Sequence, residues 1–134
     1  MKAFLDAPLP IYLNTISDPS SRVQYENLYI YFTTKYKLYT DALVLDEVLY
    51  ISKKKYGVPY DLTAEFLKTV VFPYVSVIDL AEEEFKQALR LVLEHGLKPS
   101  DALHMGAMKA MGINNIISED RDFDRTGEVK RIWL

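Results

Sequence analysis

Short apolar and β-branched runs alternate along the chain with longer segments of helix-forming residues. The apolar runs predict five strands, at residues 3–5, 37–40, 74–78, 115–118 and 130–133. The stretches between them predict helices at residues 23–34, 41–55, 62–72, 79–94 and 100–111, the last one closed by a glycine. Strands that alternate with helices, with turn residues between them, indicate an α/β domain with a mainly parallel sheet.

Capping residues predict several helix boundaries. Ser100 follows a proline and is predicted to be an N-cap, which places Asp101 in the first helical turn. The run that begins at Asp79 has the pattern of a capping box, so Asp79 is interpreted as a helix cap. The two prolines within residues 7–10 cannot continue a strand ladder, and residues 11–17 are too weakly patterned to assign.

The helix after Ser100 is rich in small residues. Gly106, Ala107 and Ala110 are predicted to let this helix approach the sheet closely. A carboxylate at Asp101 is favoured by the positive end of the helix dipole, which by itself explains an acid at that position.

Composition and charge restrict the class of protein. The chain has 134 residues, no cysteine and a formal net charge of −3. Its length fits one domain over residues 1–134, and the absence of cysteine excludes disulfides, thiolate metal sites and thiol nucleophiles. No apolar stretch suits a membrane span or a signal peptide, so a cytoplasmic protein without membrane contact is expected. The net charge disfavours binding of nucleic acid by charge alone, unless metal ions reverse the local field.

Acidic residues follow three of the predicted strands. Asp6 comes directly after the first strand, Asp120 follows the fourth, and Asp46 and Glu47 lie early in the helix after the second. Because ligands of parallel sheets bind outside the carboxyl ends of the strands, Asp6, Glu47 and Asp120 are expected to be neighbours. Asp101 joins them if its helix begins at the same edge. Helical periodicity does not show which of Asp46 and Glu47 belongs to this group, because apolar residues surround much of the helix.

A cluster of carboxylates predicts a particular chemistry. Carboxylates that crowd together repel one another unless they are protonated or bridged by cations. Oxygen ligands favour Mg²⁺ or Mn²⁺, whereas zinc normally takes histidine or cysteine. Such ions catalyse in-line phosphoryl transfer by activating water and neutralising charge on the phosphate. The pattern therefore predicts phosphodiester hydrolysis.

Several of these positions also have a simpler interpretation. Asp6 alone could cap the segment that follows it. Asp122 and Asp124 are either further metal ligands or part of a polar loop, and His104 is interpreted as a hydrogen-bonded or exposed helix residue.

Four segments of the chain are informative when taken together: residues 4–6, 43–48, 99–104 and 116–124. They resemble the motifs of PIN-domain ribonucleases, and the chain length resembles that of VapC toxins from type II toxin–antitoxin pairs. Their order and spacing match over essentially the whole chain. The resemblance implies a three-layer α/β/α sandwich around a mainly parallel five-stranded sheet, and a nuclease centre that depends on Mg²⁺ or Mn²⁺.

The resemblance also implies roles for individual residues. The acidic quartet of the family, which acts in catalysis and metal binding, falls on Asp6, Glu47, Asp101 and Asp120. It therefore selects Glu47 over Asp46. Ser118 takes the hydroxyl position two residues before the last acid, and Asp122 takes a commonly acidic position that supports metal binding.

The expected function is hydrolysis of RNA. Arg121 and Arg125 are the local candidates for binding the RNA backbone, and the lysines at residues 53–55 either contribute or form a solvated helix end. Members of the family commonly form homodimers and are inhibited by a cognate antitoxin, so both partners are expected. The tyrosine-rich residues 25–39 supply either an apolar interface or part of the core.

One position departs from the family pattern. Ala7 and Pro8 follow Asp6, where the family usually has Thr or Ser and then Asn or Ser. Missing hydrogen bonds around a metal site typically cost about 10–100-fold in metal affinity or activity. The alternative is therefore a catalytically weakened PIN-like module that acts in binding or assembly. A receiver-like or phosphatase-like domain is disfavoured, because the chain has neither a Gly-rich phosphate loop nor an Asp-x-Asp pair after the first strand.

Overall fold

A five-stranded parallel sheet forms the centre of the fold. The computed structural model describes all 134 residues. The strands are β1 (Lys2–Leu5), β2 (Lys37–Asp41), β3 (Val75–Ile78), β4 (Asn115–Ile117) and β5 (Lys130–Ile132). Their order is β3-β2-β1-β4-β5, and every neighbouring pair is parallel. The five predicted strands are confirmed.

Helices cover both faces of the sheet. The α-helices are α1 (Pro8–Thr15), α2 (Pro19–Lys35), α3 (Ala42–Tyr56), α4 (Tyr60–Phe66), α5 (Glu82–His95) and α6 (Pro99–Ala110). A π-helical turn (Leu67–Val71) extends α4, and a 3₁₀-helix (Arg121–Thr126) follows β4. The chain moves outwards from β1 to β3 and then crosses to β4. Right-handed connections therefore place α1–α4 on one face and α5 and α6 on the other, which confirms the α/β/α arrangement.

Helix α1 lies in a segment for which the sequence pattern predicts no element. Pro8 occupies its first turn, where a backbone N–H has no partner within the helix and proline is therefore tolerated. The N–H of Ile11 donates to the carbonyl oxygen of Ala7 at 3.0 Å, and Leu9 and Leu13 are buried. The prolines exclude a strand here, as predicted, but they begin a helix.

The predicted cap of α5 is wrong. The helix begins at Glu82, its N-cap is Ala81, and no side chain caps it, so Asp79 lies outside the helix. Three glutamates occupy the first turn. Their charges interact favourably with the positive end of the helix dipole, which supports this start without a capping side chain.

The predicted cap of α6 is also wrong, by two residues. Its N-cap is Lys98, which makes no side-chain cap, and Pro99 is the first helical residue. Ser100 therefore lies inside the helix. Asp101 is in the first turn, as predicted, because the shift is shorter than one turn.

Gly106 allows helix α6 to approach helix α5 closely. A Cβ atom at Gly106 would lie 2.5 Å from the backbone carbonyl oxygen of Glu84. Ala107 is fully buried, whereas Ala110 is exposed. The prediction of close packing at Gly106 is therefore confirmed with a different partner, a helix in place of the sheet.

The remaining helices agree with the sequence pattern apart from their ends. Helix α2 begins at Pro19, because Asp18 caps it by accepting a hydrogen bond from the N–H of Ser21 at 3.1 Å. Helix α3 ends at Tyr56 and is followed by its C-cap Gly57, whose φ of 72° lies in the left-handed region that favours glycine. Helix α4 and the π-helical turn together occupy the predicted helix at residues 62–72.

The central strands are apolar on both sides. Phe4, Leu5, Ile116 and Ile117 are 0% exposed, and they belong to a cluster of 28 buried hydrophobic residues. Near-continuous apolar strands are expected where helices cover both faces of a parallel sheet. None of the helices combines the length and the hydropathy that crossing a bilayer requires.

Candidate metal centre at the carboxyl edge of the sheet

Asp6 stands directly after β1 and is 5% exposed. Its backbone N–H donates to the carbonyl oxygen of Ile117 at 3.1 Å, and the hydroxyl of Ser118 donates to its Oδ2 at 2.6 Å. The same hydroxyl oxygen accepts the backbone N–H of Asp120 at 3.0 Å. One serine therefore links the acid after β1 to the acid after β4. Burial raises the pKa of the Asp6 carboxyl, although His104 and the Ser118 hydroxyl act in the opposite direction.

Asp101 presents a buried carboxylate oxygen that has no partner. The residue is 8% exposed, and its Oδ2 accepts no hydrogen bond. Burial, followed by the negative charges of Asp6 and Asp120, raises the pKa of the Asp101 carboxyl to about 6. A buried acceptor without a partner costs about 1–3 kcal/mol, and a charged one costs more, so this oxygen requires either a proton or a cation.

The 3₁₀-helix after β4 brings Asp122 to the same place. One carboxylate oxygen from each of Asp101, Asp120 and Asp122 lies within 4.8 Å of the other two. Asp120 caps this helix by accepting the backbone N–H of Asp122 on Oδ1 at 2.9 Å. Asp124 instead lies beside Arg131, with 3.1 Å between its Oδ1 and the arginine Nε. The sequence pattern did not decide between metal ligand and polar loop for Asp122 and Asp124. The structure places Asp122 beside Asp101 and Asp120, and Asp124 beside Arg131.

Asp46 and Glu47 both line the cavity in front of these carboxylates, and both are exposed. At the cavity mouth, partial desolvation and then the charge of Asp6 raise the pKa of the Glu47 carboxyl. The charge of Asp6 therefore reaches Glu47, and the place of Glu47 as the fourth acid of the set stays a prediction.

His104 lies behind the carboxylates, and the sequence pattern does not predict this role. The residue is 3% exposed, and its Nδ1–H donates to Oδ2 of Asp41 at 2.6 Å. Its Nε2 lies 4.0 Å from Oδ1 of Asp6. Burial lowers the pKa of the imidazole, but the hydrogen bond and the charge of Asp41 outweigh burial and raise it. The spacing of three residues from Asp101, on one face of α6, is the signal that could have identified His104.

The acidic residues face an open cavity of about 440 Å³. Its walls consist of Asp6, Pro8, Leu43, Asp46, Glu47, Tyr50, Ile51, Lys98, Ser100, Asp101, His104 and Asp120. Pro8 forms the wall beside Asp6 and brings no side-chain donor or acceptor. Lys98 is exposed at the rim and adds a positive charge there.

The donor set suits a hard divalent cation. Every acidic group at the site offers carboxylate oxygens, the ligands that Mg²⁺ and Mn²⁺ prefer. The unpartnered Oδ2 of Asp101 and the mutual repulsion of Asp101 with Asp6 and Asp120 are both relieved when a cation lies between them.

The two arginines that the sequence suggests for RNA binding do not line the cavity. Arg121 is exposed, and Arg125 donates through Nη2 to the carbonyl oxygen of Gly96 at 3.2 Å. A role for either arginine in binding RNA remains a prediction.

Comparison with known proteins gives a family and a set of similar folds. A family model described as "PIN domain" matches residues 3–129 of the chain. No curated protein sequence matches it.

Three solved structures share the fold. VapC20 of Mycobacterium tuberculosis, described as a sarcin–ricin loop cleaving toxin, has a TM-score of 0.75 at 20% identity, over 96% of this chain and 97% of that one. VapBC2 of Rickettsia felis, bound to a DNA fragment from its promoter, has a TM-score of 0.73 at 17% identity, over 98% of both chains. A toxin–antitoxin complex from Klebsiella pneumoniae has a TM-score of 0.69 at 18% identity, over 95% of this chain and 94% of that one.

Proposed function

The chain belongs to the PIN domain family, and on that premise we propose that it is a divalent-metal-dependent endoribonuclease of the VapC type. The observation that carries this proposal is the unpartnered, buried Oδ2 of Asp101 among other carboxylates at the wall of an open cavity. Without a cation at this position, the buried oxygen of Asp101 would need a proton to relieve its repulsion with Asp6 and Asp120.

The acids of the site form two groups according to their position. Asp101, Asp120 and Asp122 would hold Mg²⁺ or Mn²⁺, because their oxygens already lie within 4.8 Å of one another. Asp6 and Glu47 would complete the set from the cavity wall. When bound, such an ion lowers the pKa of water and offsets the charge that develops on a phosphate during in-line hydrolysis.

The other residues of the site position these acids. The Ser118 hydroxyl fixes the orientation of Asp6. Asp41 holds the His104 ring in place, so that its second nitrogen faces Asp6. Lys98, at the cavity rim, attracts the phosphate backbone of a substrate towards an otherwise acidic surface.

The substrate and partners are part of the same proposal. VapC20 is described as a sarcin–ricin loop cleaving toxin, and this supports RNA as the substrate class. The Klebsiella pneumoniae structure, described as a toxin–antitoxin complex, supports a cognate antitoxin as a partner. We further propose a homodimer that acts in the cytoplasm.

A specific observation favours a second candidate function. Ala7 is 1% exposed and Pro8 forms part of the cavity wall, so the wall beside Asp6 lacks the polar groups that the family usually has there. A PIN-like module with weakened catalysis, acting in binding or assembly, is the function that this feature supports.

The experiment incubates the purified protein with mixed single-stranded RNA in Mn²⁺, in Mg²⁺ and in chelator, beside the Asp101→Asn variant. The expected result is cleavage that requires a metal and is abolished in Asp101→Asn. Thermal unfolding in the same buffers should show stabilisation by Mn²⁺ in the wild type and less in the variant. Folded wild-type protein that leaves RNA intact in every metal would favour the binding module. Cleavage that persists in Asp101→Asn would contradict the proposed site.

A further inference from the structure

We propose that a surface of tyrosines and lysines on α3 and α4 binds single-stranded RNA and leads it into the acidic cavity. The tyrosine–lysine surface consists of Tyr50, Lys53, Lys54, Lys55, Tyr56 and Tyr60. This inference rests on the proposed function, since it assigns the path of the substrate of the same site.

Each lysine of this surface lies over a tyrosine ring. Nζ of Lys54 is 5.2 Å from the ring centroid of Tyr50, and Nζ of Lys53 is 4.8 Å from that of Tyr60. Lys55 lies in the same way, at 5.5 Å from the ring of the adjacent Tyr56. The three tyrosines are 42–49% exposed. The surface therefore presents aromatic faces and positive charges side by side to the solvent.

The tyrosine–lysine surface is continuous with the metal centre. Tyr50 is itself part of the cavity wall, beside Glu47. Glu47, Tyr50 and Lys54 are spaced by three and four residues, which places them on one face of α3. A strand that follows this face passes from the lysines over the Tyr50 ring to the acids.

Partly buried hydrogen bonds hold the two helices of the surface together. The side-chain amide of Asn14 donates to Ser52 Oγ at 3.0 Å and to Thr63 Oγ1 at 2.8 Å. Ser52 and Thr63 are 0% exposed. Because these bonds join α1, α3 and α4, Tyr60 is fixed beside Lys53 before any ligand binds, and little ordering remains to be done on binding.

The lysines are free to contact an anion. None of the ion pairs of the chain involves Lys53, Lys54 or Lys55. The chain has a net charge of −3, so a polyanion reaches the acidic cavity only where cations are locally concentrated.

Aromatic rings next to lysines favour a single strand. Exposed bases stack on tyrosine with about 1–3 kcal/mol per base, whereas the bases of a duplex are already stacked on each other. Lysines alone would bind duplex and single-stranded RNA alike, because both carry charged phosphates. The expected preference for single-stranded RNA therefore comes from the tyrosines.

The test measures binding of a fluorescently labelled, mixed-sequence RNA oligonucleotide, single-stranded or annealed to its complement, by anisotropy, in chelator so that no cleavage occurs. The combined Tyr50→Ala, Lys53→Ala, Lys54→Ala variant is expected to bind single-stranded RNA about 10–100-fold more weakly than the wild type. The slope of log K against log salt should also become shallower, by about 0.7 for each phosphate that a removed lysine had neutralised. Tyr50→Phe, which keeps the ring, should bind like the wild type.

Helix α2 offers a matched control. Lys35 lies over the ring of Tyr31 at 5.5 Å from its centroid, and both are exposed. This pair stands at the end of α2 that leads into β2, at the edge of the sheet opposite the cavity. The Tyr31→Ala, Lys35→Ala variant removes the same chemistry and is expected to bind RNA like the wild type.

The outcomes for binding and for cleavage are separate. Wild-type affinity in the triple variant, an equal weakening in the α2 control, or equal affinity for duplex and single strand would each overturn the proposed surface. None of these results bears on metal-dependent cleavage by the wild type. Conversely, RNA binding that depends on the surface, without cleavage in any metal, would support the surface and contradict the nuclease. Unchanged thermal unfolding of each variant shows that it is folded.

Discussion

The ring of His104 donates a hydrogen bond to Asp41 at 2.6 Å, across 63 residues of sequence. The other oxygen of Asp41 accepts the backbone N–H of Val44 at 3.0 Å and so caps α3. The fully buried carboxylate of Asp41 thus fixes the start of α3, which carries Glu47. It also fixes the His104 ring on α6, the helix that carries Asp101. The relative position of two site acids depends on this hydrogen-bonded pair.

His104→Leu tests that dependence. The substitution leaves Oδ2 of Asp41 buried without a partner, and breaking a buried pair in this way costs about 3–5 kcal/mol. Urea denaturation should show a decrease of that size in the free energy of unfolding. Asp41→Asn is the control, because the asparagine oxygen still caps the helix and its NH2 group can donate to the Nδ1 of a neutral His104 ring, so its decrease should be smaller. A decrease below about 1 kcal/mol in His104→Leu would show that the pair contributes as little as an exposed one.

Ser118→Ala tests the link between the acids after β1 and β4. Without the hydroxyl, Oδ2 of Asp6 and the N–H of Asp120 lose their shared partner, and we expect metal-dependent RNA cleavage to fall about 10–100-fold. The readout is the Mn²⁺ concentration that gives half-maximal cleavage, which should rise. Ser76→Ala, on an exposed position of β3 in the same sheet, should leave both values unchanged. An equal effect of the two substitutions would contradict a specific role of Ser118.

Gly106→Ala tests the packing of α6 on α5. The new Cβ would lie 2.5 Å from a backbone oxygen of Glu84, so the helices must separate. We expect the free energy of unfolding to decrease by about 1–3 kcal/mol, even though alanine favours a helix over glycine by about 1 kcal/mol. Ala110→Gly, at the exposed end of the same helix, reports the propensity difference alone. A Gly106→Ala variant more stable than the wild type would disprove the steric conflict.

Glu128 predicts a pH dependence of stability that is separate from the metal centre. Its carboxylate accepts hydrogen bonds from Lys109 at 2.6 Å and from Arg90 at 3.2 Å. The Lys109 and Arg90 hydrogen bonds lower its pKa from 4.5 to about 2. A lowered carboxyl pKa means that the folded state binds the proton less readily than the unfolded state does. The stabilisation is therefore complete above about pH 4.5 and is lost as the pH falls towards 2.

The measurement compares wild type with Glu128→Gln by urea denaturation at several pH values. Their difference in free energy of unfolding should shrink as the pH falls through this range, and added salt should reduce it. A difference that is the same at every pH would show that the charge of Glu128 adds nothing.

The strands and the order of the site acids were predictable for local reasons. Each strand is a short apolar run between turn residues, and parallel strands bring the residues after β1 and β4 to one edge whatever the details of packing. The resemblance to PIN-domain ribonucleases was needed to choose Glu47 over Asp46, because both are exposed in the same turn of α3.

Other features depend on tertiary contacts that sequence patterns do not contain. The prolines of α1 predicted a break, since a proline signals either the end of one element or the first turn of another. The capping pattern at Asp79 competes with three glutamates that stabilise a later start. The pairing of His104 with Asp41 requires knowing that α6 and the end of β2 meet. Whether Asp122 or Asp124 lies beside Asp101 and Asp120 is decided by the turn of a 3₁₀-helix.

The hydrogen bond between Ser118 and Asp6 joins residues that are 112 positions apart. During synthesis, Asp6 leaves the ribosome well before Ser118 and the acids at positions 120 and 122. A nascent chain that has exposed Asp6 but not Ser118 therefore carries no complete centre. Any hydrolytic activity of this centre begins only after these later residues have emerged.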